Sequence, residues 1–213
     1  MRKFKWLVVL CSCLAVAGAA QAYVIEYGSF ESPDVTTAIT NNEATGWNIV
    51  PGSGYHAGVV DEQFAQWGPG AIPDAPDGSQ WLWMDVQDTT HAIVHQYVGD
   101  CEAQNQDIVL GFYLGTTDVK GQADVRLEIA SPDLGWATID YALFDTPASQ
   151  GSAYHTCTLN TGSTPTGSKI HLVLKHVSGG WGLVDDVQVI PEPASLTAAM
   201  CGLGLLSACR RRR

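Results

Sequence analysis

Between Tyr23 and Ile190 the dominant period of the apolar residues is two, and no long stretch repeats them at helical spacing. A chain with that period can bury its apolar surface only by laying sheets against each other, so an all-β sandwich is expected. Ten runs rich in Val, Ile, Leu, Tyr and Trp read as strands: Val24 to Tyr27, Gly46 to Ile49, Gln80 to Val86, Ala92 to Val98, Asp107 to Leu114, Ala123 to Ala130, Trp136 to Phe144, Tyr154 to Leu159, Lys169 to His176 and Gly182 to Val189. Clusters of Gly, Pro, Asn, Asp and Ser separate them and supply the turns. The spacing suits Greek-key connections and a jelly roll of about ten strands. Residues 51–78, rich in Gly and Pro, form the main irregular stretch, and a loop of that length is expected to be functional or mobile.

Both ends of the chain read as signals rather than fold. Arg2, Lys3 and Lys5 precede an apolar segment from Trp6 to Ala20, and Ala20, Gln21 and Ala22 form a small-x-small site, so residues 1–22 are expected to be a helical signal peptide removed before Tyr23. At the other end Pro191, Glu192 and Pro193 lead into an apolar run from Ala194 to Cys209, expected as a short helix, and then Arg210, Arg211, Arg212 and Arg213. That run is shorter than the ~20 residues that span a bilayer comfortably, and the arginines hold its end in the cytoplasm. The division is therefore 1–22, a single ectodomain over 23–190, and a tail over 191–213.

The order of Pro-Glu-Pro, apolar helix and arginines, on a chain with a signal peptide, resembles the PEP-CTERM class of bacterial surface proteins. The resemblance implies an exosortase-type membrane protease as partner and cleavage near Pro191, Glu192 and Pro193. It also implies transient anchoring through the C-terminal helix, then delivery to the cell surface or its polysaccharide matrix. The alternative is a permanent tail anchor that is never cut.

Removing the two ends changes the charge and the cysteine count. The ectodomain keeps four basic residues, Lys120, Arg126, Lys169 and Lys175, against 21 acidic ones, a formal charge of −17. Nucleic acid is excluded as a partner, because binding it relies on neutralising phosphates with Lys and Arg. Only Cys101 and Cys157 remain of the six cysteines. An even pair in an oxidising compartment is expected to form a disulfide, the alternative being two buried free thiols.

Several short landmarks resemble the galactose-binding-like jelly roll, a superfamily that includes many carbohydrate-binding modules. They are Gly28, Ser29, Phe30 and Glu31; Gly46 and Trp47; Pro76, Asp77 and Gly78; Gln96, Tyr97 and Val98; and the closing Leu183, Val184, Asp185, Asp186 and Val187. The resemblance implies a structural Ca²⁺ held by Glu31 and Asp185, with Asp77 or the Gly78 carbonyl as a further contributor. Strand alternation independently puts Asp185 on the face of Leu183, Val187 and Val189, toward the core, where a carboxylate needs a cation or several donors. The alternative is that backbone N–H groups satisfy Asp185 and water satisfies Glu31.

Tryptophan and tyrosine are the residues on which flat sugar faces stack. Trp81 and Trp83 share a face opposite Leu82 and Met84, so both sides of that strand are apolar and the two indoles, with Trp47, are expected in the core. Tyr55, Trp67, Trp136 and Trp181 lie in or beside loops and are the candidates for ligand contact. His91 and His95 are four apart, but on a strand that separates them by roughly 13 Å, too far to share an ion. No GxSxG, HExxH, P-loop or GxGxxG pattern occurs. These features point to a secreted, noncatalytic protein that binds or helps to form extracellular polysaccharide. The alternatives are a structural surface component without a glycan ligand, or a glycan hydrolase.

Overall fold

Alternation produces twelve strands in the computed structural model, which describes residues 23–35, 38–41, 43–50, 57–64, 66, 70–87 and 90–191. They are β1 (Asn48–Ile49), β2 (Ala57–Asp61), β3 (Gln80–Met84), β4 (Val86–Gln87), β5 (Thr90–His91), β6 (Ile93–Asp100), β7 (Asp107–Thr116), β8 (Ala123–Ser131), β9 (Ala137–Asp145), β10 (Gly151–Asn160), β11 (Lys169–Gly179) and β12 (Gly182–Val189). Sheet 1 runs β1-β6-β11-β8-β9 and sheet 2 runs β10-β7-β12-β3-β2, while β4 and β5 form a small ribbon. Every pairing is antiparallel. The expected helices of residues 1–22 and of the tail lie outside the described residues, as do Glu192, Pro193 and Arg210 to Arg213. Among the described residues no helix is long and apolar enough to cross a membrane.

One apolar layer fills the space between the sheets. Sheet 1 contributes Val94, Val125, Leu127, Ile129, Ile170, Leu172 and Leu174, and sheet 2 contributes Leu82, Met84, Ile108, Leu110, Phe112, Leu114, Val184 and Val187. Tyr23–Val189 form one compact unit. A smaller cluster lies on the outer face of sheet 2, where Trp81, Trp83, Trp181 and Leu183 are covered by Phe64 and Ile72. The described part of the irregular stretch is thus a packed lid over that face. It also contains β2, hidden in the sequence among glycines and prolines and buried at all five positions.

Nine of the ten expected runs carry a strand, and Val24 to Tyr27 does not. Its backbone is held instead by Gln96, buried beneath it, whose Oε1 accepts from Glu26 N at 2.8 Å and whose Nε2 donates to Glu26 O at 2.7 Å and Gly46 O at 2.8 Å. A side-chain amide replaces the ladder there, and Tyr27 turns away at φ 54°. The neighbouring Trp47 is buried as expected, with its Nε1 donating to Tyr27 O at 3.1 Å.

Two expectations are corrected by the geometry. Cys101 and Cys157 are free thiols, not a disulfide. Cys101 follows the end of β6 in sheet 1 and donates to the carbonyls of Ala103 and Thr164, at 3.4 and 3.5 Å, whereas Cys157 stands in β10 of sheet 2 opposite Leu110. Burial, reinforced by the nearby Asp140 charge, pushes the Cys157 thiol up to about 11. The second correction concerns β12, whose register against β7 shifts between Asp185 and Gln188, with Asp186 at φ 47°. This bulge ends the simple alternation. Val184 and Val187 face the inter-sheet core, while Leu183 joins the covered outer face, and Asp185, paired with Tyr113, is fully buried.

Candidate functional site

The outer face of sheet 1 gathers aromatic rings that remain open to solvent. In β6 the side chains of Val94, Gln96 and Val98 are buried, which turns His95 and Tyr97 outward. In β11 the same alternation buries Ile170 and Leu172 and leaves His171 on the outside. Trp136 arrives from the turn after the 3₁₀ segment Pro132–Leu134, where Gly135 and Trp136 both adopt positive φ, 69° and 63°. Bonds from Gly135 N to Pro132 O and from Trp136 N to Ser131 O hold that turn. A non-glycine residue in the left-handed region is uncommon, and here it aims the indole across the sheet.

The rings meet edge to face. Trp136 lies 4.7 Å from His95 and 5.0 Å from His171, and Tyr97 lies 5.7 Å from His171, centroid to centroid. The Nδ1 atoms of His95 and His171 are 3.2 Å apart. Tyr97 donates its hydroxyl to Asp100 at 2.8 Å, a bond that raises its pKa. Burial lowers the pKa of both histidines; for His171 the charges of His95 and Lys169 lower it further and Asp133 opposes them. Toward the β9 edge, the Arg126 guanidinium lies 4.1 Å above Tyr141 and pairs with Glu128 at 2.5 Å. Trp136 is 48% exposed, Tyr97 46% and Tyr141 57%. A depression of about 300 Å³ adjoins Tyr97 and is lined by Glu26, Gly46, Asn48 and Gln96 among others. Flat rings with polar groups at their edges offer stacking surface and hydroxyl partners together.

Of the four aromatic candidates, Trp136 belongs to this face and Trp181 does not. Trp181 is buried, stacks on Trp83 at 4.7 Å and donates its Nε1 to Asp85 at 2.9 Å, so its indole is part of the packing on sheet 2. Tyr55 and Trp67 lie outside the described residues. The sequence alone does not mark Tyr97, Tyr141 or the two histidines as contacts. Their alternation with buried neighbours was a usable signal, but nothing in the sequence pairs β6 with β11.

Two of the three expected cation ligands, Glu31 and Asp185, reach the backbone of residues 77–80, the turn that carries the third, Asp77. Glu31 Oε1 accepts from Ser79 N and Gln80 N, each at 2.8 Å, and Asp185 Oδ2 accepts from Asp77 N at 2.9 Å. Gly78 has φ +86°, and a Cβ there would fall 2.1 Å from Glu31 Cδ, so glycine is required both by conformation and by the carboxylate above it. Asp185 is fully buried, and its Oδ1 has no hydrogen-bond partner. Burial pushes its pKa up to about 7 despite opposing bonds from the Asp77 and Asp186 backbone; the Asp77 and Asp186 charges push the same way as burial. Among the described residues no three His, Cys, Asp or Glu side chains sit together at metal-holding spacing.

No protein-family model matches the sequence, and comparison with curated proteins finds no match. Among solved structures, a cyclase from Fischerella sp. TAU in complex with 4-(1H-indol-3-yl)butan-2-one superposes with a TM-score of 0.61 at 19% identity, covering 81% of this chain and 98% of that one. An arabinose-bound α-L-arabinofuranosidase gives 0.55 at 10% identity, over 80% of this chain and 26% of that one. The chain is an antiparallel β-sandwich of two sheets. A structure of a carbohydrate-binding module in complex with β-1,4-galactotriose superposes only loosely, with a TM-score of 0.46 at 18% identity, over 81% and 100% of the two chains. Likeness at these identities establishes the fold alone.

Proposed function

We propose that the protein is a noncatalytic binder of extracellular polysaccharide and that the sugar lies on the outer face of sheet 1 against Trp136 and Tyr97. The observation that carries this reading is an indole nearly half exposed, yet locked by a positive-φ turn into a four-ring cluster. An isolated exposed tryptophan needs no explanation, whereas one held in an uncommon backbone conformation beside other open rings is a prepared stacking surface. Affinity electrophoresis of the purified protein through gels containing a panel of bacterial polysaccharides tests it. At least one polysaccharide should retard the protein and the Tyr154→Ala control, which changes the opposite outer face, but not Trp136→Ala. Unretarded migration on the whole panel overturns the reading.

A structural Ca²⁺ at Asp185, with Glu31 and Asp77 as its companions, belongs to the same proposal. The unpartnered, fully buried Oδ1 of Asp185 supports it. Bound there, the cation would neutralise the buried carboxylate and tie the 77–80 turn to the last strand. A melting temperature unmoved by chelator would remove it.

Delivery is proposed from the terminal motifs alone. The signal peptide exports the chain, the tail parks it in the membrane, and an exosortase-type protease releases it to the cell surface or matrix. Mass spectrometry of the mature C-terminus decides this: a mature protein that still ends in Arg210 to Arg213 makes the tail a permanent anchor.

A further inference from the structure

The geometry points to a second, chemically different site: a two-imidazole chelate for a transition-metal dication, Zn²⁺, Ni²⁺ or Cu²⁺, formed by Nδ1 of His95 and Nδ1 of His171. The two residues are diagonal neighbours on adjacent antiparallel strands, His95 opposite Val173 and His171 opposite Tyr97. Their side chains project from the same face, and the two Nδ1 atoms approach to 3.2 Å. Two Zn–N bonds of normal length meeting at the tetrahedral angle separate their nitrogens by about 3.3 Å. The two nitrogens are at hydrogen-bond distance, so an ion would replace that contact and take both rings in the Nε2–H tautomer, with little change in their spacing.

The supporting shell is already in place. β6 and β11 are interior strands of sheet 1, so the two backbones are paired on both sides. The Trp136 ring packs against both imidazoles, and Tyr97 packs against His171. Rings fixed by strands and packing lose little freedom on binding an ion, which is what a preorganised site requires. Nitrogen donors select the borderline transition metals over Ca²⁺ and Mg²⁺, so this pair and the oxygen set around Asp185 would sort different cations. An acidic domain concentrates any dication near its surface. With two protein ligands, the remaining coordination positions are left to water or to an oxygen of whatever lies on the face. The chelate does not depend on that ligand being a sugar.

The test is calorimetric titration of the purified protein with Zn²⁺ in buffer saturated with Ca²⁺, so that oxygen sites are already occupied. One equivalent should bind. His95→Gln and His171→Gln should each weaken binding by about tenfold or more, and the double variant should be no worse than either, because a chelate is lost with its first arm. Cys157→Ser should bind as the parent does, which separates imidazole from thiol ligation. A measurement on the unmutated protein removes any dependence on how the variants fold: imidazole ¹⁵N spectra should show the Nδ1 signals of His95 and His171 moving together with Zn²⁺. Binding retained in the double variant, no binding in the parent, or movement of one ring alone overturns the chelate.

Discussion

The two outer faces of the sandwich start from the same kind of residue and finish as opposites. On sheet 2, Trp81, Trp83 and Trp181 are covered, and each indole N–H has a fixed acceptor: Pro73 O, Thr40 O and Asp85 Oδ2. On sheet 1, Trp136 and Tyr97 stand open beside two histidines. Strand alternation is identical on both sides, so alternation does not decide the outcome. The decision lies in whether a connecting segment carries apolar residues of its own. The described residues 61–64 and 70–78 bring Phe64 and Ile72 over sheet 2 and fasten themselves through Ala75 N to Glu62 Oε2 and Asp118 N to Ala71 O. Covering a face also changes the meaning of its charges. Under the lid Asp185 becomes a carboxylate short of a partner, while on the open face the histidines remain reachable from solvent.

The contrast can be broken most severely at Trp81. Truncation to Ala should cost about 3–5 kcal/mol of unfolding free energy in urea, as expected for a fully buried large aromatic. A loss below about 1 kcal/mol would mean the covered face is loosely packed and the two sides are not so different. Asp185 gives the next effect. Its pKa is raised to about 7 from 3.8, so in chelator the folded protein holds a proton that the unfolded chain releases. That contribution to stability is complete below about pH 4 and is lost as pH rises through 7. Melting temperature against pH should show the fall, Asp185→Asn should flatten it, and added Ca²⁺ should restore stability at the upper end.

On the open face, Trp136→Ala should change unfolding free energy by less than about 1 kcal/mol while removing polysaccharide retention. A large stability loss there would recast Trp136 as packing. The smallest expected effect is that of reductant. Because Cys101 and Cys157 are free, dithiothreitol should leave the melting temperature unchanged, and thiol titration of the denatured protein should find both.

Period-two alternation was enough to predict the all-β sandwich, since it depends on neighbours along the chain. The landmarks around Gly28, Gly46, Gly78, Gln96 and Asp185 were also visible, and they converge because each supports the irregular N-terminal segment or the 77–80 turn. What stayed hidden depends on partners far apart in sequence. β2 reads as loop because its run is brief and bordered by glycine. Trp181 reads as exposed because its cover, Phe64 and Ile72, lies more than a hundred residues earlier. The His95 and His171 pair needs the β6 to β11 register, 76 residues apart, which no local pattern encodes. The bulge at Asp185 and Asp186 is a single φ sign, and it re-aimed the closing strand.

β12 is the last of the described strands, yet it occupies the middle of sheet 2, between β7 and β3. Until Gly182–Val189 arrive, that sheet exists as two disconnected pairs, β10 with β7 and β3 with β2. Half of the sandwich therefore has a keystone that is made after every other described strand. A chain emerging from the N-terminus, whether from a ribosome or a secretion pore, stays open until its closing strand is through, and only then does the molecule lock.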